Sequence, residues 1–182
     1  MKRKLIAVVL CVLATAAVAQ ERVPVQPPVF CPHPIVLDIQ GEKSPPTQDP
    51  ADLPASIIPL TAGSVWNQTA INKSFADTFH FKLPGECCVW TKGTLTIEVK
   101  ALQGGPAGSS TSANDGVTVF SNKVMIPPQA SPWSAGVATG ATKTLTFNIP
   151  APALAHGEVS FYVEDDTAVV WAHLHLEGCC IH

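Results

Sequence analysis

The chain has 182 residues, of which 46% are hydrophobic and 14% charged, with a formal net charge of −3. Lys2, Arg3 and Lys4 hold three of the 11 basic side chains, so everything after them carries eight cations against 14 carboxylates. With no basic run anywhere, that balance argues against nucleic acid and anionic membrane surfaces as partners.

Residues 1–19 read as a secretory signal peptide. A cationic start is followed by an apolar run, Leu5 to Leu13, that is too short to span a bilayer, and Ala17-Val18-Ala19 supplies a small-x-small cleavage site before Gln20. Cys11 follows the large Leu10, which argues against a lipid-modified cysteine. The remaining 163 residues suffice for one domain with a core and hold no second apolar stretch of membrane-spanning length. The expected address is outside the cytoplasm: periplasm, cell surface or medium. Disulfides persist there, and five cysteines lie beyond the cleavage site.

Residues 20–60 differ in composition from the rest of the chain. Ten of the 17 prolines lie between Pro24 and Pro59. Proline removes backbone donors and disfavours helix in the residue before it, which predicts an extended arm. Cys31 and the apolar run Ile35-Val36-Leu37 predict that this arm lies on the domain rather than trailing free.

The domain proper is expected over residues 61–182. Asp77 to Leu83 alternates, with Phe79, Phe81 and Leu83 on one face. In Thr94 to Ala101 the inward set is Leu95, Ile97, Val99 and Ala101. Further strand patterns run over Val117–Phe120, Thr142–Ile149, Glu158–Glu164 and Ala168–Leu176, the last with Ala168, Val170, Ala172, Leu174 and Leu176 inward. Residues 102–114 and 125–140 read as long loops. A sheet with one apolar face must bury it on something, so the prediction is an all-β fold of two packed antiparallel sheets.

Four groups of residues can carry chemistry. Asp165 and Asp166, in the turn Glu164-Asp165-Asp166-Thr167, together with Asn114 and Asp115, offer the hard oxygen ligands that Ca²⁺ prefers, although the same residues are ordinary turn formers. His173 and His175 are two apart in a strand and share a face, so they form a transition-metal pair if Glu177, His80, Cys179 or His182 supplies a third ligand. Trp133, between prolines in a long loop, is the indole expected to be exposed for ligand stacking. Trp171 shares a face with the two histidines.

Cys31, Cys87, Cys88, Cys179 and Cys180 form the sharpest signal. Bridges between sequence neighbours are disfavoured, because adjacent strand side chains point to opposite faces. At least one bridge is therefore expected from Cys87 or Cys88 to Cys179 or Cys180, closing a loop of about 90 residues and contributing on the order of 4 to 5 kcal/mol. A second bridge to Cys31 pins the arm. One thiol is left over, either free or linking two chains.

There is no Gly-x-Ser-x-Gly, His-Glu-x-x-His, phosphate loop or dinucleotide fingerprint. The runs Gly93-Thr94-Leu95-Thr96-Ile97, Asn114-Asp115-Gly116-Val117 and Phe161-Tyr162-Val163-Glu164-Asp165-Asp166-Thr167-Ala168-Val169 resemble the jelly-roll-like β-sandwiches of secreted bacterial proteins, similar in outline to carbohydrate-binding modules. That resemblance implies a structural Ca²⁺ and glycan binding through exposed aromatics. The function expected is a secreted, non-catalytic, Ca²⁺-stabilised binding module for polysaccharide. The alternatives are a self-associating structural subunit of an envelope or extracellular assembly, and a metal-dependent enzyme using His173 and His175.

Overall fold

The structure is a computed structural model that describes residues 31–41, 53–57, 61, 65–82, 85–106, 115–164 and 166–181. Residues 1–19, with the expected signal peptide, and Asn114, Asp165 and His182 lie outside the described residues. Two four-stranded antiparallel sheets dominate. The first has the order β1 (His33–Gln40), β10 (Thr167–Cys180), β3 (Cys88–Ala101), β8 (Thr142–Pro150). The second has the order β2 (Phe75–His80), β9 (Glu158–Val163), β5 (Val117–Ser121), β6 (Val124–Ala130). A minor ribbon pairs β4 (Gly105–Pro106) with β7 (Gly136–Val137), and α1 is a single turn, Ala151–Leu154.

The pairings β1–β10, β2–β9, β3–β8 and β5–β6 are nested, as in one long hairpin rolled up so that successive pairs fall in alternate sheets. That winding is a jelly roll. At its tip, Asn122 and Lys123 both adopt positive φ (46° and 63°), the backbone that a two-residue turn between β5 and β6 demands.

The core lies between the sheets. Leu95, Ile97, Val99, Leu174 and Leu176 of the first sheet meet Phe75, Val117, Val119, Val159 and Phe161 of the second, each 0% exposed. The alternation expected for β3 therefore holds. In β10 a bulge between Val169 and Trp171 shifts the phase. Val169 opposite Val99 turns inward and Val170 is left half-buried, correcting the uninterrupted alternation expected from Ala168 to Leu176.

Two strands fall where the composition pointed elsewhere. β1 lies inside the proline-rich stretch, with Ile35, Leu37 and Ile39 packed on the core, so the sandwich begins well before residue 61. β6 occupies part of the expected loop 125–140. It tolerates Pro127-Pro128 because an edge strand needs ladder bonds on only one side. Leu53 and Ile57 pack against Ala76, Phe120 and Tyr162 on the far side of the second sheet. Thr78 and Ser160, paired across β2 and β9, are also buried and hydrogen-bonded to each other at 3.0 Å.

Candidate functional site

Among the described residues, the outer face of the first sheet carries a continuous row of chemically capable side chains. In β10 the inward phase goes to Ala172, Leu174 and Leu176, which sends Trp171, His173, His175 and Glu177 outward. On one flank β1 sets Asp38 opposite His175; on the other β3 sets Glu98 opposite Trp171 and Lys92 opposite Glu177.

Asp38 Oδ1 lies 2.8 Å from His175 Nδ1 and 3.1 Å from His173 Nε2, so one carboxylate oxygen serves both imidazoles. The other His175 nitrogen, Nε2, is 3.6 Å from Glu177 Oε1, which also accepts from Lys92 Nζ at 3.0 Å. The His175 hydrogen bond, with the fields of both imidazoles, holds the Asp38 carboxyl below the usual aspartate range. The Lys92 ammonium does the same for Glu177. Further along, the half-buried Trp171 indole donates its N–H to Glu98 Oε2 at 2.6 Å, which fixes the ring on the sheet. The row thus runs cation, carboxylate, imidazole, carboxylate, imidazole, indole, carboxylate.

His173 and His175 do share a face. Of the third groups considered for them, Glu177 is near, Cys179 is disulfide-bonded and His80 is on β2 of the other sheet. The group that joins both is Asp38, which was not among those expected. Its signal was the alternation Ile35, Leu37, Ile39 against Val36, Asp38, Gln40, hidden inside a proline-rich stretch. Among the described residues, no group of three or more His, Cys, Asp or Glu side chains is arranged to hold a metal ion.

Trp133 is corrected. It is only 4% exposed, and its indole N–H donates to Thr167 Oγ1 at 2.7 Å. The Thr167 hydroxyl in turn donates to Asp115 Oδ2, completing a buried chain at one end of the sandwich. An indole held this way packs and is not available for stacking on a ligand. Asp166, also buried, accepts from the Asn72 backbone N–H at 3.1 Å, and Glu164 Oε2 accepts from Gly116 N–H at 2.7 Å. The carboxylates of Asp115, Asp166 and Glu164 each bond a neighbouring hydroxyl or amide.

The cysteines pair as Cys31–Cys179 and Cys88–Cys180, the latter spanning 92 residues between directly opposed positions of β3 and β10. Cys87 is the leftover thiol and is exposed. Its carbonyl accepts from Ile181 N–H at 2.8 Å.

No protein-family model matches the chain, and no curated protein sequence does. Among solved structures it is similar to the Tobacco streak virus coat protein, at 10% identity and a TM-score of 0.33, over 78% of this chain and 85% of that one. It is also similar to a CBM4, at 16% identity and a TM-score of 0.27, over 57% of this chain and 56% of that one. Both likenesses amount to a loose β-sandwich outline.

Proposed function

We propose that the protein is an exported, non-catalytic β-sandwich module that binds a hydroxyl-rich ligand, a glycan, on the outer face of its first sheet. One observation carries this reading: a half-buried indole, Trp171, anchored through Glu98, stands in line with His173, Asp38, His175 and Glu177 on the outer face of the first sheet. A pyranose offers a face of C–H groups that packs on an indole and a rim of hydroxyls that both donate and accept. The carboxylates accept, the Lys92 ammonium donates, and the imidazoles do either. Two disulfides fit an oxidising compartment. No described helix is long and apolar enough to cross a membrane. Affinity electrophoresis through gels containing soluble polysaccharides tests the reading. Retardation by at least one polymer, lost in Trp171→Ala and kept in Trp133→Phe, is expected; migration unaffected by every polymer would remove the glycan.

A second reading, a subunit of an extracellular or envelope assembly, is favoured by the Cys87 end. The exposed thiol adjoins Ile181 and lies near Val89, which are 62% and 58% exposed. A disulfide-linked dimer on a non-reducing gel, absent in Cys87→Ser, supports it, whereas a monomer in both lanes counts against it.

A further inference from the structure

Every open sandwich has four edges, and three of these are blunted. β1 contains Pro34, which lacks an N–H, and both its end residues, His33 and Gln40, engage other groups. β2 has five of its six residues buried. β6 carries Pro127 and Pro128. The fourth, β8, is the longest at nine residues and has no proline before Pro150. It pairs with β3 on one side and with no described strand on the other. Its sequence, Thr-Lys-Thr-Leu-Thr-Phe-Asn-Ile, combines high β propensity with a single charge. That charge is not aimed outward as a guard, because Lys143 Nζ curls back to the Pro132 carbonyl at 2.9 Å. An edge of this kind presents unpaired backbone donors and acceptors to any strand that fits.

We propose that β8 pairs antiparallel with β8 of a second copy of this chain, joining two first sheets into one continuous eight-stranded sheet about a twofold axis. An axis perpendicular to the sheet keeps the core faces on the same side, so each residue meets one of the same phase. Centring the axis on Leu145, the apolar side chain that β8 leaves half-exposed, sets Leu145 against its own mate. Thr144 then faces Thr146 of the second copy, Thr142 faces Asn148, and Lys143 faces Phe147. No like charges meet, and the threonine pairs are favourable cross-strand neighbours. The two outer faces become coplanar, so a polymer could engage both at once, which raises avidity without a new contact.

The test uses the full chain in a Cys87→Ser background, so that a thiol link cannot stand in for strand pairing. Light scattering and sedimentation velocity over a rising concentration series are expected to show monomer converting to dimer at high micromolar concentration. Thr144→Lys with Thr146→Lys places ammonium groups directly opposite one another across the axis. It is expected to return the protein to monomer with circular dichroism and melting temperature unchanged. Leu145→Cys in the same background is expected to form a disulfide-linked dimer on mild oxidation, a readout that stands if the double-lysine variant fails to fold. A parent that remains monomeric throughout, a dimer indifferent to the lysines, or a Leu145→Cys variant that oxidises without crosslinking would each overturn the proposal.

Discussion

Trp171 and Glu98 face each other across the β10–β3 ladder, with the indole N–H 2.6 Å from the carboxylate. They meet because the alternation that turns Ala172, Leu174 and Leu176 into the core leaves Trp171 on the outer face beside His173, in register with Glu98. The contact orients the ring, so its loss is expected to act on both stability and recognition. Glu98→Ala should lower stability by about 1 kcal/mol, the usual worth of such a hydrogen bond. It should also weaken polysaccharide retardation less than Trp171→Ala does. A Glu98→Ala variant with full affinity and full stability would show that the ring needs no anchor.

Asp38 gives the pH dependence. Its carboxyl is held below the ordinary aspartate value in the folded chain, chiefly by the His175 hydrogen bond. A depressed folded value contributes stability that is present above the unfolded pKa and lost as pH falls through the folded one. The melting temperature of Asp38→Asn should therefore lie below the parent's at about pH 6, and the gap should close as pH falls through the folded value of Asp38. The group is exposed, so the gap will be small. A gap that widened on acidification would have the wrong sign for this account.

The buried chain Trp133–Thr167–Asp115 predicts structural losses without functional ones. Trp133→Phe leaves the Thr167 hydroxyl without its donor and should cost about 1–3 kcal/mol in urea unfolding, with unchanged ligand retardation. Calcium enters the same experiment. Asp115 and Asp166 each accept a hydrogen bond on one oxygen, and a bound Ca²⁺ at this turn would show as a melting temperature lowered by EGTA and restored by added Ca²⁺. A Ca²⁺-dependent rise would mean that these carboxylates exchange their present partners for the ion.

Gly93 predicts an overpacking effect. A Cβ there would lie 3.0 Å from Ile149 Cβ and 3.1 Å from Leu176 Cδ2. Gly93→Ala should destabilise by about 1–3 kcal/mol, read as a lower urea midpoint. An unchanged midpoint would show that the neighbours give way freely.

The strands with uncomplicated period-two patterns were legible: β3, β8 and β9 carry their inward residues where alternation put them. So was the disulfide framework, because adjacent cysteines cannot easily bridge and only a few cross-pairings remained. β1 and β6 were obscured by proline, whose local penalty says nothing about whether a strand has one ladder or two. The packing of Leu53 and Ile57 on Ala76, Phe120 and Tyr162 is a tertiary event that no strand pattern announces. Trp133 read as exposed on loop composition, and its true environment depends on Thr167, 34 residues away. The histidine pair was visible, but its partner Asp38 is 137 residues from His175, a distance no local pattern spans.

The outer face of the first sheet is the proposed binding surface, and Trp171→Ala tests that assignment most directly. Titration calorimetry of the parent against a polysaccharide that retards it should give saturable binding, and Trp171→Ala should lose at least tenfold in affinity, about 1.4 kcal/mol. Trp133→Phe should retain it. Parent-like affinity in a folded Trp171→Ala variant would contradict the account.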